Sequence, residues 1–388
     1  MRKGQRNVLD SDLILNIFSK LYDSQVKLCR TDTLKNSSEA STYYSIPGKD
    51  RIRWILPENP KLGMPVIKQW HPYDLSSQVK WKVILLVYKL GQLKNLPGIK
   101  TINVITPSCM IKNNTWAATK NSQYSPVVYI GTPGPDQKAV ASIVDRETLN
   151  THCIIKIPLG QNASKKIIHE AKMIKSLNKK KANLGPDNIF VDEKKGIAGQ
   201  KAISGKLANR EMTNHLIEWL AALNNNRTTT LGLHCDRLFE KLHKINVTEA
   251  IHIYNLMKKN ILEKDLSLPL PSVWLHGDFA PWNLKHTQNG IQAIDWEDAK
   301  EDGLPLQDLI HFYYIQTYLF NEKKNLLTQN SAKPFIKNYC SSLKIPFTII
   351  HKLELFYLAN KWLKQHQANN SKQKQFLFAS MQTIGAYH

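Results

Sequence analysis

The residues best suited to chemistry lie in one segment, Val273–Ala299, where an apolar strand leads to Asp278 and Asn283 follows five residues later. Phosphoryl transfer from ATP to a hydroxyl group needs a carboxylate that orients the hydroxyl and accepts its proton. It also needs oxygen ligands that hold magnesium against the phosphates. Asp278 suits the first task, and Asn283 with Asp295 suits the second. The segment therefore predicts ATP- and Mg²⁺-dependent phosphoryl transfer.

A predicted hairpin brings the two magnesium ligands together. Asn289-Gly290 is a strong signal for a two-residue turn, and its flanks have the composition of strands. With these two residues as the turn, Asn283 faces position 296 and Asp295 faces position 284. We therefore expect Asn283 and Asp295 side by side at the open end of the hairpin, with backbones about 5 Å apart. Taken singly, each of these residues could cap a loop or lie at a solvated strand end. The two together at the end of a hairpin favour a magnesium site.

The same segment resembles the catalytic region of a known kinase family. Residues 276–283 are similar to the catalytic loop of the aminoglycoside phosphotransferase and choline kinase-like family, and residues 294–298 to its metal-binding segment. Residues 303–309 are similar to the stretch that follows. The resemblance implies an ATP-dependent kinase with a protein-kinase-like fold. It also implies that His276 is a structural residue of the loop and that Asp308 opens a helix and braces the loop.

A lysine and a glutamate form a second candidate pair. Kinases of this type need a strand Lys that binds the phosphates and a helix Glu that holds the Lys. Lys156 lies on the strand face opposite Cys153, Ile155 and Ile157, and Glu170 lies within the apolar stripe of the next helix. A carboxylate in an apolar stripe needs a partner, so we expect a Lys156–Glu170 ion pair that binds ATP. A solvent-facing Glu170 is the alternative, because nearby lysines compete for it.

A turn rich in Gly and Pro, residues 131–136, precedes that strand. Its place in the order strand, Gly turn, strand, strand, helix is what a kinase N-lobe needs, and this assigns Gly131 and Gly134 to nucleotide binding. The turn lacks the spacing of a GxGxxG loop or a P-loop, so an ordinary hairpin turn is an equal alternative. The hinge that would hold adenine is expected near Gly199–Ile203.

The fold class is predicted as α+β, a two-lobed protein-kinase-like catalytic unit with an additional N-terminal α/β region. Residues 1–124 form that region and have no recognised chemical signature, residues 125–203 form the N-lobe, and residues 204–388 form a helical C-lobe with the catalytic loop and the metal-binding hairpin. The resemblance covers roughly residues 125–315 and is loose before the catalytic segment. The elements predicted in the N-terminal region are helices at 10–23 and Val79–Leu93, strands at Ile52–Leu56 and Thr101–Ile105, and a loop at Thr31–Ser45.

The charge balance is strongly basic, with 53 Lys and Arg against 31 Asp and Glu and a formal net charge of +22. Such a balance favours phosphates, acidic sugars or an anionic membrane surface, although a solubilising coat explains it equally well. Nucleic acid is not expected, because the lysines are dispersed and no arginine-rich arm or aromatic RNA-binding motif is present. Peripheral membrane contact through the basic surface stays open.

Cysteine usage and hydropathy favour a cytoplasmic enzyme. The five cysteines are far apart and include no CxxC pair, which argues against a disulfide framework or a zinc site and for a reducing compartment. The basic start is followed by no apolar signal core. The longest apolar run, Val83–Tyr88, is too short to span a bilayer.

The acceptor is expected to be a neutral or acidic small molecule with a hydroxyl group. The tail from Asn321 to His388 has ten lysines against two glutamates, so it would repel a polycation and attract an anion. We predict a sugar or a glycan precursor, with a choline or aminoglycoside-type kinase as the alternative. Aromatic residues of this region could stack on a sugar, but helix core is the favoured interpretation.

Two other functions are disfavoured. A protein kinase is disfavoured by the His-Gly-Asp loop and by Asp-Trp-Glu in place of Asp-Phe-Gly. A catalytically silent binding or scaffold module is disfavoured because no catalytic residue is missing.

Overall fold

The chain divides after Ser204 into two compact units, residues 1–204 and 205–388. The computed structural model describes residues 3–22, 26–29, 40–48, 51–70, 72, 75–105, 123–181, 183–320 and 332–386. The described α and β elements of the first unit are α1 (Lys3–Tyr22), β1 (Lys27–Cys29), β2 (Ala40–Pro47), β3 (Ile52–Pro57), α2 (Pro60–Ile67), α3 (Leu75–Lys89), β4 (Lys100–Ile105), β5 (Tyr124–Ile130), β6 (Lys138–Asp145), β7 (Thr151–Pro158), α4 (Ala163–Lys180), β8 (Asn188–Asp192) and β9 (Ile197–Lys201).

One antiparallel sheet organises the first unit, with strand order β1-β4-β2-β3-β5-β6-β7-β9-β8. Successive side chains of a strand point to opposite faces, and both faces of this sheet are buried. Tyr43 packs on one face in a cluster with Ile17 and Phe18 of α1. Its neighbour Tyr44 packs on the other face in a cluster that includes Trp81 of α3. Helices therefore cover the sheet on both sides.

The sheet runs without a break through the boundary that we predicted after residue 124. Strand β3 pairs with β5, with Trp54 opposite Tyr129 and Ile55 opposite Val128. Residues on either side of the boundary consequently share one hydrophobic core and one compact unit. The division of this unit into two regions with different roles remains a prediction.

The loop predicted at Thr31–Ser45 is wrong over its last part, because β2 begins at Ala40. This strand pairs with β3 on one side and β4 on the other, which buries even Ser45, at 2% exposure. The polar residues of this segment were therefore interpreted as a loop although they belong to a central strand. Residues 31–39 lie outside the described part of the chain.

The other helices and strands predicted in this region are present, but each differs from the prediction at one or both of its ends. Strands β3 and β4 are present, and α1 begins seven residues before the predicted start. Helix α3 ends at Lys89 rather than Leu93. Gly91 takes a left-handed φ of 70° and donates its N–H to the Tyr88 carbonyl, a geometry that ends helices.

The second unit is mainly helical and contains two small sheets, with strand orders β10-β13-β14 and β11-β12-β15. Its described α and β elements are β10 (Lys206–Leu207), α5 (Asn214–Ala221), β11 (Asn224–Thr230), α6 (Leu231–His243), α7 (Thr248–Asn260), α8 (Glu263–Leu266), β12 (Pro269–Leu275), β13 (Leu284–Thr287), β14 (Gly290–Ala293), β15 (Lys300–Gly303), α9 (Gln307–Phe320), α10 (Lys333–Leu343), α11 (Ile350–Gln367) and α12 (Ser371–Ala386). Strand β11 was not predicted. The Asn225 amide donates to the Ser272 hydroxyl and to the Glu301 carbonyl, which ties this polar strand to its sheet.

The helices and cysteines of the described residues bear on the predictions about membrane spans and disulfides. None of their helices is long and apolar enough to cross a bilayer. Cys153, Cys235 and Cys340 are buried free thiols. Cys109 and the side chain of Cys29 lie outside the description.

Candidate active site

Asp308 holds the backbone that leads into the catalytic loop. This residue, on the first turn of α9, accepts the His276 N–H at 2.7 Å on Oδ2 and the Gly277 N–H at 2.9 Å on Oδ1. The carboxyl group is 4% exposed, and burial raises its pKa from the ordinary value despite the two backbone donors and the charge of Lys361. Asp308 therefore connects the start of α9 to the backbone before the loop, and its role in the family's mechanism remains a prediction.

His276 is fully buried and joins the loop to the hairpin. Its Nδ1 accepts the Asp278 N–H at 3.2 Å, and its Nε2 lies 2.9 Å from the Ile294 carbonyl. Since Nδ1 accepts, the proton is assigned to Nε2, which donates to that carbonyl. The ring also packs against buried Trp296 at 4.7 Å between centroids. These contacts of His276 join parts of the backbone, and its role as a structural residue of the loop remains a prediction.

Asp278 projects from the loop with 38% of its side chain exposed, and Asn283 orients it. The Asn283 amide nitrogen lies 2.9 Å from the Asp278 carbonyl and 2.9 Å from its carboxylate Oδ2. Both amide hydrogens are thereby used, and no donor among the described residues reaches the Asn283 Oδ1. The amide oxygen therefore remains available as a ligand atom.

The hairpin is present, but its predicted register is wrong. Thr287 pairs with Gly290 and Leu284 with Ala293, so the turn residues are Gln288 and Asn289. An Asn-Gly turn of type I′ needs positive φ at both residues, whereas only Gly290 has one, at 99°. The Ile294 N–H donates to the Asn283 carbonyl at 2.8 Å. Asn283 thus faces position 294 rather than 296.

Asp295 directly follows that last bonded pair, so it still lies at the open end of the hairpin with Asn283. Its φ of 67° is left-handed, a conformation that costs most non-glycine residues about 1 kcal/mol or more and that Asp tolerates better. The turn of the backbone at Asp295 sends Trp296 into the core, where its indole N–H donates to the Ala293 carbonyl.

Two residues that were not predicted, His311 and Tyr357, support the Asp278 carboxylate. His311 on α9 is 4% exposed, with Nε2 2.9 Å from the Asp278 Oδ1 and Nδ1 2.7 Å from the Tyr357 hydroxyl. Burial and the charge of Lys361 lower the pKa of His311 to about 4. The imidazole is therefore neutral at pH 7; it donates from Nε2 to Asp278 and accepts from Tyr357 at Nδ1.

Asp278 is consequently a stabilised carboxylate. Burial alone would raise its pKa, but the hydrogen bond from His311 and the charge of Lys361 outweigh burial and hold the pKa below the ordinary value. The sequence signal for His311 was its spacing: it lies three residues after Asp308 and hence on the same face of a helix. Nothing in the sequence linked Tyr357 to either residue.

Helix α11 supports the loop with a half-buried cation as well. Lys361 lies one turn after Tyr357 and donates from Nζ to the Gly277 carbonyl at 2.8 Å. Burial, together with the charge of Lys364, lowers the pKa of Lys361 to about 8, while the Asp278 carboxylate opposes this shift. Lys364, nearly one turn further on, forms an ion pair with Asp298.

The predicted Lys156–Glu170 pair is present in the first unit. The Lys156 Nζ lies 2.7 Å from Oε1 and 2.6 Å from Oε2 of Glu170, and the two residues are 5% and 0% exposed. Two of the nearby lysines form other ion pairs, Lys166 with Asp136 and Lys172 with Glu193. The role of Lys156 and Glu170 in binding ATP remains a prediction.

The Gly-rich turn has a structural explanation of its own. Gly131 closes the β5–β6 hairpin through its N–H to the Lys138 carbonyl, and the Gln137 side chain donates to the Gly131 carbonyl. The Gly134 and Pro135 carbonyls pass so close to Gly160 that a Cβ there would meet them at 2.5 and 2.3 Å. The turn is thus packed against the segment before α4, and nucleotide binding by Gly131 and Gly134 remains a prediction.

Comparison with known proteins supports the resemblance. Residues 212–328, which contain the catalytic segment, match the model of the phosphotransferase enzyme family. No curated protein matches the sequence. The family match confirms the predicted resemblance and indicates an ATP-dependent phosphotransferase that acts on a hydroxyl acceptor.

Solved structures similar to this chain include kinases and phosphotransferases. Choline kinase LicA from Streptococcus pneumoniae is 15% identical, with 66% of this chain and 92% of that chain covered and a TM-score of 0.46. The GDP and kanamycin complex of APH(2")-IIia is 12% identical, with 67% and 93% covered and a TM-score of 0.46. Amicoumacin kinase hAmiN, in complex with AMP-PNP, Ca²⁺ and Ami, is 12% identical, with 69% and 89% covered and a TM-score of 0.46.

We expect His311→Ala to lower kcat about 10- to 100-fold with little change in the KM for ATP, because Asp278 loses the donor that fixes its orientation. Tyr357→Phe should have a smaller effect in the same direction, since it leaves the His311 Nδ1 without its donor. Steady-state kinetics with melting curves would measure both. Tyr314→Phe is the matched control, because this buried hydroxyl bonds to Glu354 and not to His311. A wild-type kcat in folded His311→Ala would contradict the positioning role.

For the ion pair, we expect Lys156→Met and Glu170→Gln each to impair ATP use and to be non-additive, with a coupling of about 1–3 kcal/mol in a double-mutant cycle. The reason is that each residue acts through the other. Single-turnover rates at varied ATP would supply the four corners of the cycle. Lys172→Met is the control, because its pair with Glu193 is exposed and should contribute little. Additive losses would show that the pair does not act as a unit.

Proposed function

We propose that this protein transfers the γ-phosphate of ATP to a hydroxyl group of a neutral or acidic small molecule, with a sugar or a glycan precursor as the favoured acceptor. The observation that carries the proposal is the orientation of Asp278. Asn283 bonds to one carboxylate oxygen and His311 to the other, while the backbone before the loop is fixed by Asp308. A carboxylate held this way can orient a hydroxyl group and accept its proton.

Magnesium fits the donor set at the open end of the hairpin. The Asn283 Oδ1 has no donor within the described residues, and Asp295 follows Asn283's partner in the register. The described residues contain no cluster of three or more His, Cys, Asp or Glu side chains suited to a metal. Mg²⁺ bound through one or two protein oxygens, substrate phosphates and water needs no such cluster. When bound, the ion would neutralise charge on the transferring phosphate.

The protein's own residues then divide the work. Asp278 holds the acceptor hydroxyl and takes its proton at a carboxylate oxygen, and Asn283 and Asp295 hold the cation. Lys156, fixed by Glu170, would bind the phosphates of ATP. His311 remains neutral and keeps the Asp278 carboxylate in one orientation.

A basic cleft in the second unit supports an acidic acceptor. The cleft, of about 80 Å³, could hold several water molecules and hence one phosphate or carboxylate group. Its polar lining includes His234, Arg237, Lys241, Lys300, Asp302 and Asn360. Leu275 in the same lining lies three residues, about 10 Å of chain, before Asp278. An acceptor could therefore place its anionic group in the cleft and its hydroxyl at Asp278.

The charge of this cleft is not balanced by acidic side chains. Arg237 pairs with Asp302 at 3.4 Å, whereas Lys241 and Lys300 form no ion pair with any residue that the structure describes. Lys300 consequently lies among like charges. Partial loss of hydration and then the charges of Lys241 and Lys364 lower the pKa of Lys300, although Asp302 and Asp298 oppose the shift. This field disfavours a polycationic acceptor.

A choline or aminoglycoside-type acceptor is the second candidate. The chain is similar to solved structures of a choline kinase and of a phosphotransferase complexed with kanamycin. Phe312 and Tyr357, two aromatic side chains that could hold a cation, are buried, whereas Phe356 lines the basic cleft. The observations on the basic cleft therefore favour the anionic alternative.

We expect Asp278→Asn to lower kcat about 100-fold or more with the KM for ATP nearly unchanged, because the amide cannot accept the hydroxyl proton. A radiolabelled phosphate-transfer screen over free sugars, acidic sugars, glycolipid precursors, choline and aminoglycosides would identify the acceptor first. Wild-type turnover in folded Asp278→Asn would refute the assignment of the base. Selective phosphorylation of an aminoglycoside would refute the charge argument.

Once an acceptor is known, Lys241→Gln with Lys300→Gln should raise its KM about tenfold and leave kcat and the KM for ATP nearly unchanged, because the change removes ground-state binding of an anion. The matched control is Lys244→Gln with Lys264→Gln, two lysines of the same unit that do not line the cleft. An equal effect of both pairs would indicate a general charge effect. An unchanged KM in the first pair would contradict anion binding in the cleft.

A further inference from the structure

Helix α3 of the first unit presents an apolar stripe to solvent. Val79, Val83, Leu86 and Leu90 are 64%, 48%, 59% and 64% exposed, although each would normally gain from burial. Their spacing of four, three and four residues places them on one helix face, and Leu90 continues the helix through its N–H to the Leu86 carbonyl. The other large exposed apolar residues of the described chain are scattered over different elements.

The stripe is separate from the face that packs on the sheet. Trp81 and Tyr88, on the opposite side of the helix, are 5% and 0% exposed, and the Tyr88 hydroxyl donates to the Pro57 carbonyl at 2.6 Å. Helix α3 is thus anchored by one face while a second apolar face remains uncovered. A surface helix of a soluble protein ordinarily has one apolar face, so the second needs a partner.

Lysines border the stripe on both sides. At about 100° per residue, Lys80 lies along one edge, and Lys82 with Lys89 lies along the other. All three are exposed, and none forms an ion pair with a described residue. Helix α3 contains no acidic residue. The pattern is therefore an apolar centre between two cationic rims.

We propose that α3 docks this protein on an anionic lipid surface, with the stripe in the boundary between headgroups and acyl chains and the lysines among the headgroups. An apolar face flanked by lysines is the arrangement of helices that lie in a membrane interface. Long lysine side chains can keep their charge in water while their stems lie on apolar surface. The proposal is independent of phosphoryl transfer and would bring a membrane-borne acceptor to the protein.

A second copy of the chain fits this face less well. A two-fold contact places the same surface on both partners, so the lysine rims of two copies would lie close together. The like charges would then repel with no acidic residue of α3 to offset them. An anionic lipid surface matches both the apolar centre and the rims.

The test is co-sedimentation of the full chain with two kinds of vesicle. One is phosphatidylcholine alone, and the other is phosphatidylcholine with about 30 mol% phosphatidylserine. We expect binding to the anionic vesicles, and a loss of about tenfold or more in partitioning for Leu86→Gln with Leu90→Gln, because two apolar side chains no longer enter the interface. Replacing Lys80, Lys82 and Lys89 by Gln should cost about fivefold per lysine at low salt.

The matched control is Ile251→Gln with Leu262→Gln, two residues of the second unit that are 56% and 51% exposed and lie outside the stripe. Equal binding of wild type and Leu86→Gln with Leu90→Gln would show that net charge alone drives adsorption and would overturn the proposal. So would a dimer in sedimentation velocity that dissociates only in this stripe variant while no vesicles bind. ATP turnover with a soluble acceptor should be unchanged in the stripe variant, which separates failure of docking from failure of the proposed reaction.

Discussion

The two hydrogen bonds from the loop backbone to the buried Asp308 carboxylate fix the start of the loop, and the positions of His276 and Asp278 depend on them. They fix the N–H groups of His276 and Gly277, and a buried carboxylate left without such donors would be strongly disfavoured. With that backbone fixed, His276 can reach both the Asp278 N–H and the Ile294 carbonyl. The loop and the hairpin are thereby joined through side chains that have no freedom to rearrange independently.

Helices α9 and α11 complete this arrangement from the other side. His311 lies one turn from Asp308, and Lys361 lies one turn from Tyr357, so each helix contributes two groups at helical spacing. Together they give the exposed carboxylate of Asp278 a neutral donor and a nearby cation. A carboxylate in these surroundings stays ionised at neutral pH and so is available to orient a hydroxyl group.

The sequence predicted those features that depend on local pattern. The strand and helix that bring Lys156 to Glu170 followed from periodicity, because Lys156 lies opposite an apolar strand face and Glu170 interrupts an apolar helix stripe. The hairpin was predicted in the wrong register, because the Asn289-Gly290 signal does not decide between two turn types that use Gly at different positions.

What the sequence could not predict depends on contacts between distant segments. Tyr357 is 46 residues from His311, and no spacing rule connects them. Strand β2 was missed because its burial comes from two flanking strands rather than from its own composition. The exposed apolar face of α3 could likewise not be predicted, since the sequence of an apolar helix face is the same whether or not another element covers it.

The nine-stranded sheet has a consequence for any shorter version of this chain. If the residues before β5 were removed, β5 would lose its pairing with β3 and become an open edge with unpaired backbone groups. The face that α1 covers would lose Ile17 and Phe18, so apolar side chains of β5 to β7 would meet water. Such a fragment would retain every residue assigned here to chemistry and would be prone to aggregate by edge-to-edge pairing. The segment with no chemical signature is therefore part of what keeps the sheet of the first unit paired and its apolar core covered.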